Sequence, residues 1–203
     1  MRPVRACGIG VIIGQCAFLA CGYSHALLRG DLSLQNSHIS AVIDHKQASL
    51  LCGLISVASG AALVALELTR PIALRGLRVA LALNVSVGIL TTCIVRESSW
   101  YLVHALSACI AFGAAMLLVC IVARCQPAHA RKTECMRLAS LLFAACFITG
   151  VAQGSYLLKL TFMPSFALAV GECSMVLGFG LAVSVSSSGV DACVAHKRCV
   201  HKS

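Results

Sequence analysis

The amino-acid sequence predicts an all-α protein. Residues 1–190 read as a polytopic integral membrane bundle of six transmembrane helices with both termini cytosolic, and residues 191–203 as a short basic cytosolic tail. Three observations carry this reading. The 203 residues are 59% hydrophobic and only 11% charged, with mean hydropathy +0.91, whereas a soluble domain carries about a quarter charged residues. The apolar residues fall into runs of roughly 17–24, which cross a hydrocarbon core of about 30 Å at about 1.5 Å per residue. The Lys and Arg residues gather in the short links between those runs.

Residues 6–28 form the first run, behind a basic start. Its length exceeds the roughly 7–15 residues of a signal-peptide core, so a retained helix is expected. Residues 29–47 are a polar link holding Asp31, His38, Asp44, His45 and Lys46. They show no strand alternation and read as a loop with room for a short helix. Residues 48–66 give the second helix, with Ser56 and Gly60 four apart. Residues 67–76, ELTRPIALRG, read as a tight basic turn in which Pro71 stops the preceding helix.

The third and fourth helices, residues 79–95 and 100–123, flank a four-residue polar break at 96–99. So short a link forces an antiparallel hairpin. One face offers Ala80, Asn84, Gly88 and Thr92, the other Ser107, Ala111 and Ala115. Small residues at this spacing let backbones approach closely in lipid, where van der Waals contact replaces the hydrophobic drive. A basic link at 124–137 leads to the fifth helix, 138–158, with Gly150 and Gly154 in its far half. After a link containing Pro164, the sixth helix, 166–187, carries Ser174, Gly178, Ala182 and Ser186 on one face.

Charge orients the bundle. The N-terminus, the second and fourth links and the tail hold twelve Lys and Arg, the other three links four. This split puts both ends in the cytosol and the 29–47 link in the lumen. The net charge of +9 is thereby explained by topology, and nucleic acid is not an expected partner. Eight of the thirteen cysteines lie in apolar runs, where they act as small apolar residues. Cys7, Cys125, Cys135, Cys193 and Cys199 sit in basic flanks, and no Cys-x-x-Cys pair signals a zinc or thioredoxin-type site. Asn84-Val85-Ser86 matches a glycosylation acceptor but lies inside a helix, out of reach.

Polar residues inside a bilayer are costly and so become functional candidates. Counted from the lumenal ends, His104 lies roughly 6 Å deep, Gln153 about 7 Å and Glu172 about 10 Å. Asn84 lies deeper and Gln15 near mid-membrane, and the cytosolic half shows nothing comparable. A lumenal-side cavity is expected in which Glu172 pairs with His104, supported by Gln153. The same residues also fit a structural role, with Glu172 locking the sixth helix into the bundle. No nucleophile elbow, metal-ligand spacing or facing histidine pairs for haem are present, so no catalytic site, metal or cofactor is expected. In the tail, Cys193, His196, Cys199 and His201 are spaced more tightly than a usual Cys₂His₂ zinc pattern, and palmitoylation of Cys193 and Cys199 is the preferred reading.

Over residues 6–190 the chain resembles the DRAM-type family, the damage-regulated autophagy modulators and their relatives. Ile39-Ser40 and Gly60-Ala61-Ala62 match the family's first lumenal link and second helix. Gly88, Val103-His104 and Phe112-Gly113 resemble its third and fourth helices, and Glu172 within GECSMVLGFG matches the glutamate of its last helix. The chain departs at Ala41-Val42-Ile43, where the family has Asp-Thr-Gly, and lacks the tryptophan after the glutamate. The resemblance implies a non-enzymatic protein of the lysosomal or another endomembrane that modulates autophagy. Relatives in the wider superfamily act at the plasma membrane, in phosphoinositide signalling, or in remodelling lipid anchors. Expected partners are membrane lipids and other membrane proteins met through small-residue helix faces. The alternatives are a lipid-acting enzyme or transporter using the His104/Gln153/Glu172 cavity, or a plasma-membrane scaffold in phosphoinositide signalling.

Overall fold

In a computed structural model the chain forms α1 (Pro3–Leu28), α2 (Ile39–Ile43), α3 (Lys46–Thr69), α4 (Arg75–Ile94), α5 (Glu97–Cys125), α6 (Arg131–Leu157) and α7 (Ser165–Val200). The structure describes residues 3–32, 38–70, 73–125, 131–157 and 165–200. All but α2 are long and apolar enough to cross a membrane. Their outward faces are lined with residues such as Leu50, Leu54, Leu102 and Leu141, each more than half exposed. Such a surface suits hydrocarbon and would be untenable in water.

Each spanning helix packs on its neighbours in the chain, and α7 closes the ring onto α1. The sense alternates around the ring. It places α2 and the α4–α5 turn on one face, the α2 face, and the α3–α4 turn with the start of α1 on the other. Within the ring Val11, Leu63, Leu66, Val85, Leu118 and Phe179 form the main core. A second cluster of Phe18, Ile39, Ile43, Cys52, Cys93 and Val176 sits beneath α2.

The hairpin forms as its small residues predict, but one row turns differently. A Cβ at Gly88 would stand 2.9 Å from Ala111 Cβ and 3.0 Å from the Ser107 carbonyl, so only glycine allows α4 to lie this close to α5. Asn84 points outward instead, donating to the Ala80 carbonyl of its own helix at 2.9 Å. The polar break is followed by a kink at Trp100, with φ −143° and ψ 61°, and the spanning part of α5 begins beyond it. At the far end α7 continues as helix to Val200, through the point where a separate tail was expected.

The basic turn between α3 and α4 is built around buried charge. Glu67, Arg70 and Arg78 all have fully buried side chains. Glu67 Oε2 accepts from Arg78 Nη1, and Arg70 Nη1 stands 2.9 Å from Glu67 Oε1 at an angle that gives charge attraction rather than a hydrogen bond. Arg70 Nη2 donates to Ser186 Oγ at 3.0 Å, tying the turn to α7. Arg78 also donates to the Ala73 and Arg70 carbonyls at 2.9 and 3.3 Å. Leu74, at φ 60°, supplies the left-handed residue that brings this turn back under α4. The half of the bundle expected to lack intramembrane polar groups therefore carries a buried ion cluster of three side chains.

Candidate functional site

Two of the expected polar residues, Glu172 and His104, converge on α2. This helix is only five residues long, ISAVI, and could not persist alone. It holds because Ile39, Ser40, Val42 and Ile43 are all buried against the bundle. A Cβ at Gly22 of α1 would meet Val42 Cγ1 at 3.2 Å and Ile43 Cγ2 at 3.3 Å, so α2 rests directly on the α1 backbone.

Side chains from two spanning helices then grip α2. Glu172 of α7, 6% exposed, accepts the Ile39 amide hydrogen at 2.6 Å. His104 of α5, 3% exposed, has Nδ1 2.7 Å from the Val95 carbonyl and Nε2 2.9 Å from Ser40 Oγ. A carbonyl can only accept, so Nδ1 carries a proton, and in the neutral ring Nε2 accepts the Ser40 hydroxyl. At the N-cap of α2, His38 Nε2 lies 3.2 Å from Glu97 Oε2 at the start of α5. Burial works against a charge on His38, but the Glu97 hydrogen bond and the charges of Glu172 and Glu97 outweigh it, so His38 ionises above the usual 6.5.

The expected direct pair of Glu172 with His104 is not made. Both bind consecutive residues of α2, which stands between them. His104 and Glu172 do share one level of the bundle, but α2 enters there and takes both groups. Gln153 lies in α6 and Cys193 and Cys199 in the last part of α7, with side chains outside the described residues. Of the flank cysteines, Cys7 and Cys125 are half-buried and Cys135 buried, each within a helix. Among the described residues no group of three or more His, Cys, Asp or Glu is arranged to hold a metal ion.

Two spaces flank α2. Beneath it a small chamber of about 50 Å³ is lined by Gln15, Phe18, Ser40, Thr92, His104 and Glu172, among others. It has room for a few water molecules. Gln15 also borders a void of about 20 Å³ deeper in the bundle, with Ser56, Ser59 and Ser86. Outside α2 an open basin of about 770 Å³ is bounded by Arg29, Asp31, His38, Asp44, Glu97 and Tyr101.

No protein-family model matches this chain, and no curated protein or solved structure matches it. Its chemistry is therefore read from its own residues. His38 and Glu97 carry no motif that marks them in the sequence. The signal for the Glu67 cluster was present in principle, as a carboxylate between an apolar run and three nearby arginines.

Proposed function

We propose that this chain is a non-enzymatic, multi-pass protein of the lysosomal or another endomembrane that modulates autophagy through contacts with lipid or with the helices of partner proteins. One observation supports the non-enzymatic part: Glu172 and His104 are both engaged in holding α2, and the chamber they line measures only about 50 Å³. A lipid-acting enzyme or transporter needs those groups on a cavity open to substrate. The twelve-to-four division of Lys and Arg supports a lumenal α2 face with both ends cytosolic. The cellular role rests on the resemblance to DRAM-type proteins. The acid-stabilised His38–Glu97 pair on that face is in keeping with an acidic lumen.

The test is the location of a tagged copy, with autophagic flux measured after removal of the protein. The expected result is residence in acidic endomembranes and a fall in flux. Plasma-membrane residence with unchanged flux would overturn the reading.

A further inference from the structure

Short as it is, α2 is a partition. From its N-cap onward, His38, Ala41 and Val42 face the open basin, while Ile39, Ser40 and Ile43 face the inner chamber. Three side-chain contacts from the spanning helices hold it there: Glu172 to the Ile39 amide, His104 to Ser40, and Glu97 to His38. Within the chamber two groups are left under-used. Gln15, 7% exposed, makes no side-chain hydrogen bond among the described residues. Glu172 makes no salt bridge among them, and with α2 seated it is met by the neutral backbone N–H groups of Ile39 and Ser40, with His38 as the nearby cation.

Displacing α2 would change this inventory in a specific way. Glu172 loses the Ile39 amide, and His104 Nε2 loses the Ser40 hydroxyl while Nδ1 keeps its proton on Val95. The chamber then presents three acceptors: the Glu172 carboxylate, the Gln15 carbonyl and His104 Nε2. An ammonium group has three N–H donors and one positive charge. Phe18, Ile89, Phe112 and Val176 supply an apolar wall for a short alkyl group. The approach is also biased toward cations. In the basin Arg29 pairs with Asp31 and His38 with Glu97, whereas Asp44 meets only the Ser98 amide, at 3.4 Å, among the described residues.

We propose that the chamber is a binding site for a primary ammonium group, entered from the basin when α2 moves aside, and that the Ile39 N–H holds the ligand's place on Glu172 while α2 is seated. Occupancy releases α2 and so changes the surface that this face offers to partners. The inference stands apart from the cellular role proposed above, and its test needs neither the orientation of the bundle nor autophagy.

The full chain is placed in phosphatidylcholine nanodiscs with methylammonium chloride or, as control, potassium chloride of equal strength. Two quantities are read by peptide-resolved mass spectrometry: amide exchange over residues 39–43, and labelling of native Cys93 by a membrane-impermeant thiosulfonate. Cys93 lines the chamber and is 1% exposed; Cys135, 2% exposed in the other half, reports any general loss of structure. Methylammonium should speed both the exchange and Cys93 labelling about tenfold, the effect of losing roughly one hydrogen bond to a charged group, and leave Cys135 unchanged. A parallel arm replaces the soluble amine with phosphatidylethanolamine in the disc. A response in either arm supports the site and identifies the source of the amine; no response in both overturns it. Glu172→Gln should abolish the response, and a full response in that variant would also overturn it. Should Glu172→Gln expose Cys135 and so prove misfolded, Gln15→Leu decides. It should raise the methylammonium concentration needed about tenfold, and an unchanged midpoint rejects the proposal.

Discussion

The Glu172 carboxylate accepts the Ile39 amide hydrogen at 2.6 Å, joining residues 133 positions apart and fixing a loop segment inside a ring of membrane helices. Removing the acceptor leaves a buried N–H without a partner, which costs about 1–3 kcal/mol. Glu172→Leu should therefore lower the melting temperature in detergent by several degrees, at roughly 2–4 °C per kcal/mol for a chain of this size. Glu172→Gln keeps an acceptor oxygen and should lose less. Equal losses in the two variants would mean that the carboxylate matters for its charge or volume and not for this bond.

Gly22 sets the seat of α2 from the opposite side. Alanine there would need Val42 and Ile43 to give by a few tenths of an ångström, whereas leucine would fill the space α2 occupies. Gly22→Leu should detach α2 while leaving the ring assembled, since over-packing costs about 1–3 kcal/mol locally. Limited proteolysis after Lys46 should rise sharply in Gly22→Leu and little in Gly22→Ala. Unchanged cleavage in the leucine variant would show that α2 does not depend on this contact.

The six spans and the α4–α5 hairpin were legible because length and hydropathy determine a membrane helix almost alone. The level of His104 and Glu172 was legible for the same reason, since depth follows from the rise per residue. Their partners were not. Ile39 and Ser40 belong to a link whose polar composition suggests solvent, and only tertiary contact with Gly22, Glu172 and His104 draws ISAVI into the bundle. The Glu67 cluster was hidden by the opposite error. Positive-inside counting treats arginines near a membrane end as solvated, but Arg70 and Arg78 are buried by their proximity to one carboxylate and to Ser186. Without those two, ten residues still stand against four, so the charge bias keeps its sign.

That cluster makes an asymmetric prediction. Glu67 is the one anion between two buried guanidiniums, and burial draws the Arg70 pKa down while Glu67 opposes it. Glu67→Leu strands two positive charges and should cost on the order of 3–5 kcal/mol, seen as a near loss of folded protein on size-exclusion chromatography. Arg70→Leu leaves the neutral Glu67–Arg78 pair and should be the milder change. A ranking in the reverse order would mean that Arg70's bond to Ser186 carries more of the stability than charge balance does.

The last prediction concerns pH and the His38–Glu97 pair, whose side chains are 12% and 19% exposed. Burial opposes charge on His38, yet the Glu97 hydrogen bond, with Glu172 and Glu97 charges, raises its folded pKa above 6.5. For a base with a raised folded pKa, the contribution to stability is fully present below the unfolded value, near 6.5. It is lost as pH rises through the folded value. His45 runs the other way, because desolvation and then the charges of Arg29, His25 and Arg96 lower its pKa, and its contribution is lost on acidification. Comparing wild type with Glu97→Gln separates the two, since His45 is common to both proteins. The wild type should melt higher than Glu97→Gln at acidic pH, and the gap should close as pH climbs past 6.5 and through the His38 transition. Amide exchange over residues 39–43 should follow the same curve, slow in acid relative to the variant and equal in alkali once intrinsic exchange rates are divided out. A gap that stays constant with pH would show that Glu97 supports α2 through packing alone, and a gap that widens with pH would reverse the sign of the coupling.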